Sequence, residues 1–67
     1  MPSILFEVKN SIAFITFNRP DKFNSFNREM ALLLQEKLDE SIDDNIRAVH
    51  ITGAGKAFSA GQDITEL

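Results

Sequence analysis

Ile4, Phe6 and Val8 alternate with Leu5, Glu7 and Lys9, a period of two that predicts a half-buried strand. The polar pair Asn10-Ser11 interrupts it. Ile12-Ala13-Phe14-Ile15-Thr16-Phe17 then resumes as a second strand, apolar enough to be buried on both faces, and the two should form a β-hairpin. Asn18-Arg19-Pro20-Asp21-Lys22 breaks the ladder, because Pro20 has no N–H and holds Arg19 extended. The period next changes to that of a helix, from about Asn27 to Asp44. Met30, Leu33, Leu34, Leu38 and Ile42 fall on one stripe, while Glu36, Lys37, Asp39 and Glu40 lie mostly away from it. Asn27 suits the N-cap, Glu29 suits the first turn, and the apolar stripe reads as packing against the sheet. Asp43-Asp44-Asn45 stops the helix, with Asn45 in the left-handed conformation that often ends one. Ile46 to Thr52 forms a third strand, which a right-handed crossover lays parallel to the second. The fold class is α/β, in the order β-β-α-β.

Beyond that strand, Ile51-Thr52-Gly53-Ala54-Gly55-Lys56-Ala57-Phe58-Ser59-Ala60-Gly61-Gln62-Asp63-Ile64 reads as a glycine-rich turn running into the start of a helix. Backbone N–H groups at a helix start lack partners and carry the positive end of the helix dipole, so they can receive a developing oxyanion. Most glycine turns serve geometry alone, and from local chemistry both readings of Gly61-Gln62 stay open. Asp63 suits the cap of the short last helix, with Glu66 three residues on as in a capping box. Gly55-Lys56 is not a phosphate loop, because His50 and Ala57 stand where that motif needs glycine and a hydroxyl residue. Nor does Gly53-Ala54-Gly55 make a dinucleotide fingerprint, since Phe58 occupies the place of the third glycine. His50 shares a strand face with Ala48 and Thr52 and reads as a buried, hydrogen-bonded histidine rather than a base.

Composition narrows the classes. The 67 residues contain no cysteine and one histidine, which excludes disulfides, thiolate metal sites and a histidine-rich metal cluster. Seven basic against ten acidic side chains argue against a nucleic-acid footprint. No apolar run approaches the length of a membrane span, and Met1-Pro2-Ser3 lacks a basic, signal-like character, so a cytoplasmic setting is expected.

Several separated motifs extend the picture. Asn18-Arg19-Pro20 is followed by Lys22-Phe23-Asn24-Ser25-Phe26-Asn27 with Glu29-Met30, then by Arg47-Ala48-Val49 and the run from Thr52 to Ile64. In this order they resemble the N-terminal part of the crotonase (enoyl-CoA hydratase/isomerase) superfamily, across essentially the whole of residues 1–67. Asn24-Ser25-Phe26-Asn27 with Ala60-Gly61-Gln62-Asp63 is most similar to the ring-1,2-epoxyphenylacetyl-CoA isomerases of phenylacetate degradation. The resemblance implies a β-β-α-β piece of a ClpP/crotonase-like fold whose parent isomerises or hydrates acyl-CoA thioesters. It places one oxyanion-hole donor at the backbone N–H of Gln62, with Gly61 allowing close approach of the thioester. It assigns Ala60, Gly61, Gln62, Asp63 and Ile64, together with Lys22 and Phe23, to the CoA thioester. Coenzyme A enters as part of the substrate; no metal or other cofactor is implied, and the parent is expected to be a homo-oligomer, a trimer or dimer of trimers. In such enzymes the second donor and the proton-transferring carboxylates lie beyond the matched portion, so the 67 residues read as part of a longer enzyme, inactive alone. The competing reading is a non-catalytic β-β-α-β module that assembles through an exposed strand edge.

Overall fold

The computed structural model describes residues 2–63 and 65. Strand β1 (Ile4–Lys9) and strand β2 (Ile12–Phe17) form the expected antiparallel hairpin, Ile4 opposite Phe17 and Lys9 opposite Ile12. Asn10 and Ser11 close it with φ of 53° and 65°. Two successive positive φ values are the mirror-image turn whose twist matches the strands it joins. Strand β3 (Ala48–Gly53) lies parallel to β2 with Ile12 opposite Ala48 and Phe17 opposite Gly53, giving the sheet order β1-β2-β3.

Between them, helix α1 (Arg28–Glu40) starts where the sequence indicates, with the Asn27 side chain accepting a hydrogen bond from the Met30 N–H at 2.8 Å. It ends at Glu40, four residues before the Asp44 expected from the sequence. The Ser41 hydroxyl donates back to the Lys37 carbonyl at 2.8 Å, and Ile42 N–H bonds the Asp39 carbonyl, tightening the last turn. The Asp43 carboxylate then accepts from Asn45 N–H at 2.8 Å, and Asn45 is not left-handed. This Asx turn, not a left-handed cap, redirects the chain. Strand β3 accordingly begins at Ala48 rather than Ile46 and runs one residue further, to Gly53.

By register, Ile4, Phe6, Val8, Ala13, Ile15, Phe17, Val49, Ile51 and Gly53 share the face under the helix. Ile4, Ile15, Phe17 and Met30 form the buried cluster, flanked by Phe6, Phe26, Leu33 and Leu34. Coverage fades toward β3, where Val49 and Ile51 stay exposed, and just past the helix, where Ile42 is 84% exposed. On the opposite face Ile12, Phe14 and Thr16 are only half-buried, so β2 is closed on one side rather than both. His50 lies on that open face and is exposed, stacked obliquely on Phe14 with ring centroids 5.4 Å apart. The buried histidine expected from sequence is thus corrected: its strand is an edge, and no element lies over it among the described residues. Lys37 reaches Glu40 at 2.9 Å, a helix pairing the charge pattern had left unread. Among the described residues no helix is long and apolar enough to cross a membrane.

Candidate functional site

Because β2 and β3 run parallel, both end at the same edge of the sheet, and the loops that follow them meet there. Loops at the carboxyl ends of parallel strands are the usual place for ligands in α/β folds. The first loop opens with a single 3-10 turn, Pro20–Lys22, where proline's fixed φ and missing N–H suit the first position. Lys22 is exposed in this turn, and Phe23 follows at φ 52° with 58% of its surface accessible.

The second loop leaves β3 through Gly53. A Cβ there would stand 2.5 Å from the carbonyl oxygens of Ala57 and Phe58, so the returning chain itself requires glycine. Residues 57–61 are irregular rather than helical. The two loops then pair as a short parallel ladder. Ala60 N–H donates to the Phe23 carbonyl at 2.9 Å, Phe26 N–H to the Gly61 carbonyl at 2.7 Å, and Asp63 N–H to the Phe26 carbonyl at 2.7 Å.

This register decides the fate of one amide. Successive residues of an extended strand send their N–H and C=O groups to opposite sides. The Gly61 carbonyl and Asp63 N–H face Phe26, so the N–H of Gln62 turns away from it. Among the described residues that amide has no acceptor. Gln62 also lines a hollow of about 360 Å³ with Phe26, Asn27, Arg28 and Ala31. Gly61 holds φ at 96°, and nothing lies within 4 Å of where its Cβ would be. Glycine is needed there for backbone conformation, not for want of space inside the fold.

Three side chains that sequence reading treated only as motif letters fasten the ladder. Asn24, fully buried at φ 57°, accepts from Arg19 N–H at 2.7 Å and donates to the Ala54 and Ala57 carbonyls at 2.9 and 2.6 Å. The Ser59 hydroxyl donates to the Asn24 carbonyl at 2.9 Å and accepts from Gly61 N–H at 3.1 Å. Arg19 sends one guanidinium nitrogen to the Ser25 carbonyl at 2.6 Å and the other to the Asp63 carboxylate at 3.1 Å. An asparagine in a loop was the readable signal, since its amide can bond nearby backbone and it tolerates positive φ. Phe17 packs against both loops, edge-on to Phe26 at 4.9 Å and obliquely to Phe58 at 5.0 Å.

The Asp63 carboxylate accepts from the Thr65 hydroxyl at 2.7 Å and the Thr65 N–H at 3.0 Å, the pattern of an Asx turn. Ile64 and the expected Glu66 partner lie outside the described residues. The two Thr65 bonds, with Arg19 behind them, hold the Asp63 carboxyl below its ordinary range. A carboxylate with a depressed pKa in the fold contributes stability that is complete above the unfolded value of about 4 and fades as pH falls through the folded value. In a carboxyl-carbon NMR titration Asp63 is therefore expected to titrate below the ordinary aspartate value of about 4. Its replacement by asparagine should flatten part of the stability loss below about pH 4.

The enoyl-CoA hydratase/isomerase family pattern matches residues 7–67. The 1,2-epoxyphenylacetyl-CoA isomerase of Escherichia coli is 45% identical over 67 residues, covering 98% of this chain and 26% of the relative. Crystal structures of an enoyl-CoA hydratase/isomerase from Xanthobacter autotrophicus and one from Pseudoalteromonas atlantica superpose with TM-scores of 0.89 and 0.90, each at 38% identity. They share 94% and 96% of this chain, which covers 24% and 26% of theirs. The chain thus spans about a quarter of the length of the relatives it matches. The β-β-α-β topology agrees with these matches, and the chain belongs to the enoyl-CoA hydratase/isomerase family.

Proposed function

We propose that residues 1–67 form the N-terminal part of a crotonase-like domain acting on acyl-CoA thioesters, with the Gln62 N–H as one of the donors that stabilise the thioester oxyanion. The observation that supports this reading is the Gln62 amide, without an acceptor among the described residues, turned outward by the register of the Phe26–Gln62 bridge and beside a hollow. A main-chain donor fixed before the reaction needs no reorganisation as charge develops on oxygen, and is worth roughly 10²–10³ in rate. The exposed ammonium of Lys22 and the exposed Phe23 ring suit the phosphate and adenine ends of CoA, with Ala60, Gly61 and Asp63 along the thioester. The name of the Escherichia coli relative favours an aromatic acyl group and isomerisation over hydration.

The test is a titration of the 15N-labelled polypeptide that carries this chain with phenylacetyl-CoA, acetyl-CoA and free CoA. The Gln62 amide proton should move downfield and saturate with either thioester. Free CoA should perturb Lys22 and Phe23 while leaving Gln62 in place. An unmoved Gln62 amide, or an equal response to free CoA, overturns the assignment.

A further inference from the structure

Arg19 is the one cation of the Asn18-Arg19-Pro20 motif, and the oxyanion reading gives it no task. Its guanidinium is largely covered, with 15% of the side chain accessible against 13% for that of Asp63. The two groups it joins are not arbitrary. Ser25 directly precedes Phe26, and Asp63 directly follows Gln62, so one planar fork spans both halves of the bridge. Its own backbone is anchored: Arg19 N–H donates to the Asn24 side chain at 2.7 Å, and its carbonyl accepts from Asn24 N–H at 2.8 Å.

We propose that Arg19 is a positioning residue, a register clamp that keeps the Gln62 N–H facing outward. The physical need is acute because the ladder is so short. Sliding one strand past another by one residue reverses every group from one side to the other. Such a slip would carry the Asp63 carboxylate about 3.3 Å along the strand, out of hydrogen-bond reach of the guanidinium. It would also turn the Gln62 N–H inward, against its partner strand. The two nitrogens of a rigid guanidinium fix two points at a set spacing, which a lysine ammonium cannot do. Asp63 closes the arrangement from the other side, since its carboxylate also holds Thr65.

The catalytic half of this inference rests on the oxyanion reading; the clamp itself does not, and two readouts on the polypeptide that carries this chain separate them. The first is amide hydrogen exchange in the parent, Arg19→Lys and Arg19→Met. Protection of the Phe26 and Asp63 amides should fall roughly tenfold in both variants, the equivalent of one charge-assisted hydrogen bond. Ile15 and Ile51, in the main sheet, should keep theirs. The second readout is the thioester-induced shift of the Gln62 amide, expected in the parent, weakened in Arg19→Lys and absent in Arg19→Met. Unchanged Phe26 and Asp63 protection overturns the clamp, as does an equal loss throughout the sheet, which would mark Arg19 as a general stabiliser. If Arg19→Met fails to fold, Arg19→Lys decides by the same comparison. A parent whose Gln62 amide ignores thioesters refutes the oxyanion reading, while the exchange result still decides the clamp.

Discussion

On the proposed oxyanion role, Gln62→Pro in the polypeptide that carries this chain should lower kcat with an acyl-CoA thioester by roughly 10²–10³, because it deletes the N–H donor itself. Gln62→Ala should cost far less. The distinction follows from the ladder: neither hydrogen bond of the Phe26–Gln62 bridge uses an atom of Gln62, since Gly61 supplies the carbonyl and Asp63 the N–H. Proline at position 62 therefore removes no ladder bond, and Gly61 before it tolerates the added restriction. Kinetics of both variants, with exchange protection of Asp63 as the check that the ladder persists, measure the effect. Equal losses from alanine and proline would locate the contribution in the side chain and refute a main-chain role.

Asn24→Ala should be the most destabilising single change at this end of the sheet. It strands the Arg19 N–H and the Ala54 and Ala57 carbonyls, and it asks alanine to hold a φ of 57°. Unpaired buried groups cost about 1–3 kcal/mol each and a left-handed non-glycine residue adds about 1 kcal/mol, so a loss of at least about 3 kcal/mol is expected. At about 0.05–0.15 kcal/mol per residue, 67 residues correspond to roughly 3–10 kcal/mol, so such a loss is a large share of the total. Asn24→Asp is the sharper comparison. It keeps the acceptor for Arg19 but sets an oxygen where the amide donated to two carbonyls, so the introduced carboxyl has its pKa raised in the fold. Its penalty should then grow as pH rises through the unfolded value of about 4 and beyond, opposite in sign to the pH dependence contributed by native Asp63. Urea unfolding followed by circular dichroism at pH 4 and pH 7 reads both effects; a cost under 1 kcal/mol for the alanine variant would contradict the network described.

The regular elements were legible because each rests on a local rule. Alternation marked Ile4–Lys9, a polar pair marked the hairpin, and Asn27 marked the helix start. The errors came where tertiary context or a competing side chain decided. Leu38 and Ile42 keep the helical spacing, yet the Ser41 hydroxyl and the Asp43 Asx turn end the helix before Ile42 can use it. His50 sits in an apolar run, but whether a run is buried depends on what lies over it, and β3 is an edge. At the candidate site the Gly61-Gln62 turn could be found from its residue types. The roles of Arg19, Asn24 and Ser59 could not, because each joins positions on two loops that only the parallel pairing of β2 and β3 brings together.

That pairing orders events as the chain collapses. The bonds by which Arg19 and Asn24 reach the second loop bridge sequence separations of 30 to 44 residues, whereas the hairpin closes across two. Contacts so distant along the chain become favourable only after the intervening loop has lost its freedom, which makes them late. Hairpin and helix alone would not fix the direction of the amide at position 62, so the donor proposed there would take shape only with the last strand.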